Sequence, residues 1–114
     1  MENEPIDINE SLIKDFVEHL RPKDEEIRKK LDIGYSFDGQ TVLLFEIRPS
    51  WHNPKEIMHS EFAKIRYYKS KQEWKIYWKR ANGNWDPYNT PSPISHLEQA
   101  LELIDEDEYG CFFG

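Results

Sequence analysis

The amino-acid sequence predicts an α+β fold: an N-terminal helix, an antiparallel meander of four to five strands, and a C-terminal helix, with the helices packed on one sheet face. Three observations predict it. Apolar residues recur with helical spacing near both ends of the chain and with a period of two between them. Turn residues punctuate the alternating stretch at short intervals. The chain has 114 residues, enough for one domain around one core. Residues 1–114 are therefore expected as a single domain, with residues 1–8 as a flexible arm.

The first helix follows from Leu12, Ile13, Phe16, Val17 and Leu20, which share one helical face, with Asn9 as the expected N-cap and Pro22 as the stop. "DEEIRKKL" adds a short turn with acids first and bases last, as the helix dipole favours. Leu31, Ile33, Tyr35 and Phe37 then alternate as a strand, and "DGQ" turns the chain. "TVLLFEIR" is the second strand, with Leu43, Phe45 and Ile47 opposed to Val42, Leu44, Glu46 and Arg48. "PSWHNP" is a loop that Trp51 is expected to plug onto the core.

"EFAKIRYYK" follows as a third strand, with Ala63, Ile65 and Tyr67 opposed to Phe62, Lys64, Arg66 and Tyr68. "EWKIYWKR" is the fourth, with Trp74, Ile76 and Trp78 opposed to Lys75, Tyr77 and Lys79. "NGN" signals a type I′ hairpin into "WDPY", an edge strand because Pro87 lacks an N–H. The last helix is expected from a Ser92 cap and Pro93 at its first position, with Ile94, Leu97, Ala100, Leu101 and Ile104 as its apolar stripe.

Composition excludes several classes. No apolar run reaches the ~20 residues that cross a bilayer. The acidic start "MENEPIDINES" has no signal-peptide pattern. One cysteine, Cys111, permits neither an internal disulfide nor a cysteine zinc cage. The expected setting is the cytoplasm, with no membrane partner. Four Trp, six Tyr and six Phe supply core area that a 38% hydrophobic content alone would not.

The net charge of −7 is unevenly distributed. Between residues 64 and 80, Lys64, Arg66, Lys69, Lys71, Lys75, Lys79 and Arg80 face a single acid, Glu73. Taken with the strand alternation, one outer face is expected to carry Glu46, Arg48, Lys64, Arg66, Tyr68, Lys75, Tyr77 and Lys79. Bases interleaved with tyrosines are the chemistry of a single-strand platform, where cations track phosphates and rings stack on bases. Arg48, Lys64, Arg66, Tyr68, Lys75, Tyr77 and Lys79 are thus the candidate ligand-binding residues, for an anionic ligand, nucleic acid or an acidic protein segment. A wet sheet face accounts for the same pattern. Acids 105–108 at the end of the last helix supply an intramolecular counter-charge.

Glu46, Arg48 and His52 are the candidate catalytic set. A carboxylate, a guanidinium and an imidazole could handle phosphate, and Asp38 with Glu46 gives a nuclease-like outline. Arg48 in the basic position suits phosphate binding, because it does not give up its proton. The competing explanation has Glu46 and Arg48 pairing across strands with Lys64 and Arg66. His19, His52, His59 and His96 lack the spacing of a helical zinc motif, although His52 and His59 could share a metal with Glu56 or Glu61. No cofactor or metal site is expected, and catalysis is the lesser expectation. A homodimer through an exposed strand, with no ligand, is a third alternative.

An Arg-Pro-x-Trp segment (residues 48–51), a Phe-x-x-Arg-Tyr strand and a Trp-x-x-Tyr-Trp strand lie in sequence, followed by a Trp-x-x-Tyr hairpin partner and the ending "GCFFG". This combination, over roughly residues 30–114, resembles a family of small, mostly bacterial proteins classed only as a domain of unknown function. The resemblance implies a stand-alone cytoplasmic bacterial protein and brings no catalytic residue with it. The ending itself is expected to dock: Gly110 in a left-handed conformation ends the helix, and Phe112 or Phe113 buries against the sheet, as an added edge strand.

Overall fold

The computed structural model describes residues 8–113. Its element order is α1 (Ile8–Leu20), α2 (Glu25–Arg28), β1 (Asp32–Phe37), β2 (Thr41–Pro49), β3 (Ile57–Tyr68), β4 (Glu73–Lys79), β5 (Trp85–Tyr88) and α3 (Leu97–Glu106). The strands form one antiparallel sheet in the order β1-β2-β3-β4-β5. This is the predicted helix, meander and helix. Of the expected arm, residues 1–7 lie outside the described residues, and Ile8 already belongs to α1.

The two long helices share one face of the sheet. Ile13 and Val17 of α1 and Leu97, Ala100, Leu101 and Ile104 of α3 form one cluster with Val42, Leu44, Ala63, Ile65, Trp74 and Ile76. Seven of the largest side chains there are at most 1–2% exposed, among them Leu44, Ile65 and Ile104. Burying a Leu or Ile contributes roughly 1.5–3 kcal/mol, so this layer is where the fold is held.

Several local expectations are corrected. Asn9 is not the cap, because α1 begins one residue earlier. α3 does not start at Pro93: Ile94 instead bridges to Trp74, whose N–H donates to the Ile94 carbonyl at 2.8 Å. Pro91 and Pro93 push the residues before them out of the helical region, so His96 becomes the N-cap and its N–H donates to Gln99 Oε1 at 3.2 Å. The β4–β5 turn is not type I′, since Asn82 has no positive φ. Arg80 and Asn84 close a three-residue loop with only Gly83 left-handed (φ 88°), the turn-plus-bulge solution for such hairpins.

β3 carries a bulge. Leu44 pairs with Ala63 and Phe45 with Glu61, leaving Phe62 without a partner on β2. The side chain of Phe62 was expected beside Lys64; it packs instead against the core and lies 5.5 Å from the Phe113 ring. The chain end turns back under the sheet on the helix side. Asp107, not Gly110, is the left-handed C-cap of α3 (φ 45°), and Gly110 (φ 68°) serves in the turn that follows. Phe112 is 8% exposed, with its ring 5.2 Å from Tyr88. Residues 111–113 dock as an irregular segment, without forming an edge strand.

Candidate functional site

The sheet face away from the helices follows from the register. Residues directly opposite in an antiparallel pair share a face. Lys64 stands opposite Tyr77 and Leu43, Arg66 opposite Lys75 and Thr41, Tyr68 opposite Glu73, and Lys79 opposite Trp85. Their neighbours of opposite parity, Ala63, Ile65 and Ile76, are in the core. Lys64, Arg66, Tyr68, Lys75, Tyr77 and Lys79 therefore share the outer face, as expected from alternation. No described helix covers it, because α1 and α3 both pack on the other side.

On this face cations and rings interlock. Lys64 Nζ lies 4.8 Å from the centre of the Tyr77 ring and 5.1 Å from Trp85. Lys79 Nζ lies 5.3 Å from Trp85. The Tyr68 ring receives Lys75 Nζ at 5.3 Å and Arg66 Cζ at 5.6 Å. Each contact is within the ~6 Å at which a ring quadrupole attracts a cation. The Tyr68 and Tyr77 hydroxyls are hydrogen-bonded at 2.5 Å. Burial, then the bond to Tyr68, pushes the Tyr77 phenol up to about 12. Tyr77 thus stays neutral beside the cations at any physiological pH. Glu61 pairs with Lys79 at 3.5 Å, whereas Lys64, Arg66 and Lys75 form no ion pair among the described residues.

Trp85 completes the set, a residue outside the candidates that strand alternation picks out. The Asn-Gly signal alone would not have placed it: a two-residue turn sets Trp85 across from Arg80, and only the observed three-residue loop brings it opposite Lys79.

Arg48 and Glu46 do not belong to this face. Glu46 is opposite Ser60 and Arg48 opposite Met58, not Lys64 and Arg66. They share the parity of the buried Val42 and Leu44, and so lie on the helix side of the sheet. They pair with each other, Arg48 Nη2 to Glu46 Oε1 at 2.6 Å. His52 lies in the β2–β3 loop against the Trp51 ring, 3.7 Å between centroids. Trp51 does not plug the core; it is 85% exposed. Asp38 is spent at the opposite end of β2, where its carboxylate accepts the N–H groups of Gln40 and Thr41. The nuclease-like outline of Asp38 and Glu46 is thus spread along the length of a strand, five residues beyond Thr41.

His59 stacks on Phe45 with 4.7 Å between ring centres, and His19 lies 3.4 Å from Asp105. Among the described residues no group of three His, Cys, Asp or Glu side chains comes together as metal ligands. Of the acids 105–108 expected to counter the basic face, two are engaged elsewhere: Asp105 faces His19, and the Asp107 carboxylate accepts the N–H groups of Phe112 and Phe113. No helix among the described residues is long and apolar enough to cross a membrane.

A model of a protein family described as "Domain of unknown function (DUF3024)" matches residues 1–114. No curated protein and no solved structure matches the chain.

Proposed function

The chain belongs to this family of domains of unknown function, and from that premise we propose that it is a binding module whose open sheet face takes an anionic macromolecule. One observation carries the proposal: Lys64, Arg66, Lys75 and Lys79 stand together over Tyr68, Tyr77 and Trp85 on the face that the helices leave uncovered. In a chain of net charge −7, the concentration of cations on one face gives that face a local field opposite to the molecule's overall one. Rings held under the cations keep the side chains extended and partly dehydrated, so less ordering entropy is lost when an anion arrives.

The test is binding of fluorescein-labelled oligo(dT) and of labelled poly-glutamate, by anisotropy at low salt. The expected result is binding of at least one probe that weakens as salt rises and is lost in Lys64→Glu/Lys75→Glu. The same charge change on the helix side, Lys14→Glu/Lys23→Glu, should leave it intact. No binding of either probe, or equal loss in both variants, would overturn the proposal.

A further inference from the structure

The outer face has a second half that the cations do not explain. Beside the basic-aromatic rows of β3 and β4 runs an apolar row on β2: Leu43, Phe45 and Ile47, all half-buried. His59 lies on Phe45, and Ile57, opposite Pro49, is 59% exposed. β1 sets Ser36, Gly34 and Asp32 opposite this row, with Gly34 bare at its centre. A Cβ on Gly34 would come within 2.9 Å of Phe45 Cε1 and 3.0 Å of Ile47 Cδ1, so both side chains lean over the bare backbone of β1. Together they make a level apolar strip. A sheet whose two faces are both apolar ordinarily has a layer on each; here the described chain supplies only one.

Two observations favour protein over nucleic acid as the missing layer. A phosphate backbone gains nothing from Leu43, Phe45 and Ile47. The rings that a base would stack on already hold Lys64, Arg66, Lys75 and Lys79 at 4.8–5.6 Å, so stacking would first displace them. Strand spacing sets the shape of what fits. β2 and β4 are two strands apart, about 10 Å, and a helix with its side chains is about 10–12 Å across.

We infer that the outer face docks an acidic amphipathic helix of a protein partner. Its leucine-like stripe lies along Leu43, Phe45 and Ile47, and the carboxylates on its flank reach Lys64, Arg66 and Lys75. Such helix-on-surface recognition is read through anchors at i, i+3 or i+4, and i+7. The inference rests on the proposal that this face takes an anion, and adds the partner's class and its orientation.

The experiment uses a synthetic helical peptide of leucine, alanine and glutamate whose leucines recur at i, i+4, i+7 and i+11. It is compared with a sequence-shuffled isomer of equal charge and with oligo(dT), by titration of the isotope-labelled chain. The expected result is that the amphipathic peptide binds roughly tenfold or more tightly than its isomer, a gap of about 1.4 kcal/mol. It should shift the amides of both 43–47 and 64–75. Phe45→Ser and Ile47→Ser, checked for an unchanged melting temperature, should bring the two peptides to equal affinity, and Lys64→Glu/Lys75→Glu should abolish both. Equal binding of the isomers, or tighter binding of oligo(dT), overturns the helix and leaves the anionic face standing. Binding of none of the three probes removes both.

Discussion

The carboxylate of Asp107 accepts the backbone N–H of Phe112, Oδ1 to N at 3.0 Å, and through its other oxygen that of Phe113 at 2.8 Å. Asp107 itself sits in the left-handed conformation that ends α3. One acid thus both stops the helix and ties the returning chain. Two N–H groups held by one charged acceptor are stronger than neutral pairs, and they aim the Phe112 ring at Tyr88 and the core. Phe112→Ala is expected to cost about 3 kcal/mol, in the range for a buried Phe, and Asp107→Ala about 1–2 kcal/mol. Urea denaturation of each variant measures this. Deleting residues 111–114 should cost at least as much as Phe112→Ala; an unchanged melting temperature for the truncated chain would refute the docked end.

Acid should loosen the join between α1 and the sheet. Arg21 Nε and Nη2 contact Asp32 Oδ1 and Oδ2 at 2.8 and 3.0 Å, a two-pronged pair at the start of β1. The hydrogen bonds from Arg21, with lesser help from the Ile33 N–H, hold the Asp32 carboxyl below its ordinary 3.8. A depressed carboxyl contributes stability above its unfolded value and loses it as pH falls through the folded one. The pair's contribution should therefore be complete at neutral pH and decline below about pH 4. Asp32→Asn should lose about 1–2 kcal/mol at pH 7 and much less at pH 2. A loss that does not depend on pH would mean that packing, not charge, sets the effect.

How much of this was legible in the sequence differs between fold and face. Element order was legible because periods of two and of 3.6 are imposed by burial on one side, and Asn-Gly, Pro and Asp-Gly mark the breaks. The face assignment failed at β2, where Val42 to Ile47 is apolar on both sides except for Glu46. Alternation then carries no sign, and the polar Glu46 and Arg48 were assigned to the polar face. The deciding feature is the bulge. Beyond it Glu46 faces Ser60, and before it Leu43 faces Lys64; were Phe62 paired with Leu44 and not skipped, Lys64 would stand opposite Val42, in the core. A single added residue reverses every side chain past it, and an isolated Phe gives no sequence signal that it will be skipped.

Alkali should expose the tyrosine pair. Tyr77 has its phenol raised to about 12, chiefly by burial and then by the hydrogen bond with Tyr68. In the unfolded chain the phenol titrates near its ordinary 10. Between these values the folded state holds the proton and the unfolded state does not, so stability is complete below pH 10 and falls as pH rises toward 12. Tyr77→Phe should flatten that part of the stability–pH curve. Burial also raises the Tyr35 and Tyr88 phenols, so the ultraviolet phenolate signal should show one fewer late-titrating tyrosine in the variant than in the wild type. A Tyr77→Phe protein with the wild-type slope would contradict this assignment.

Gly34 reports on how the apolar strip is built. Its backbone has no positive φ, so the demand for glycine there is one of space alone. The atoms a Cβ would meet, Phe45 Cε1 and Ile47 Cδ1, are side-chain ends on an open face, and they can swing aside at modest cost. Glycine within a strand in turn gives up roughly 0.5–1 kcal/mol relative to alanine. The two terms oppose each other, so Gly34→Ala alone should change stability by less than about 1 kcal/mol. In a Phe45→Ala background the clash with the ring is gone while the backbone gain remains, and the same Gly34→Ala change should stabilise by about 0.5 kcal/mol. The double-mutant cycle therefore has a predicted sign: the pair should couple, with Gly34→Ala better tolerated when Phe45 is absent. Strict additivity would mean that the Phe45 ring does not lie over Gly34 in solution, and the level strip on which a helix could seat would not exist.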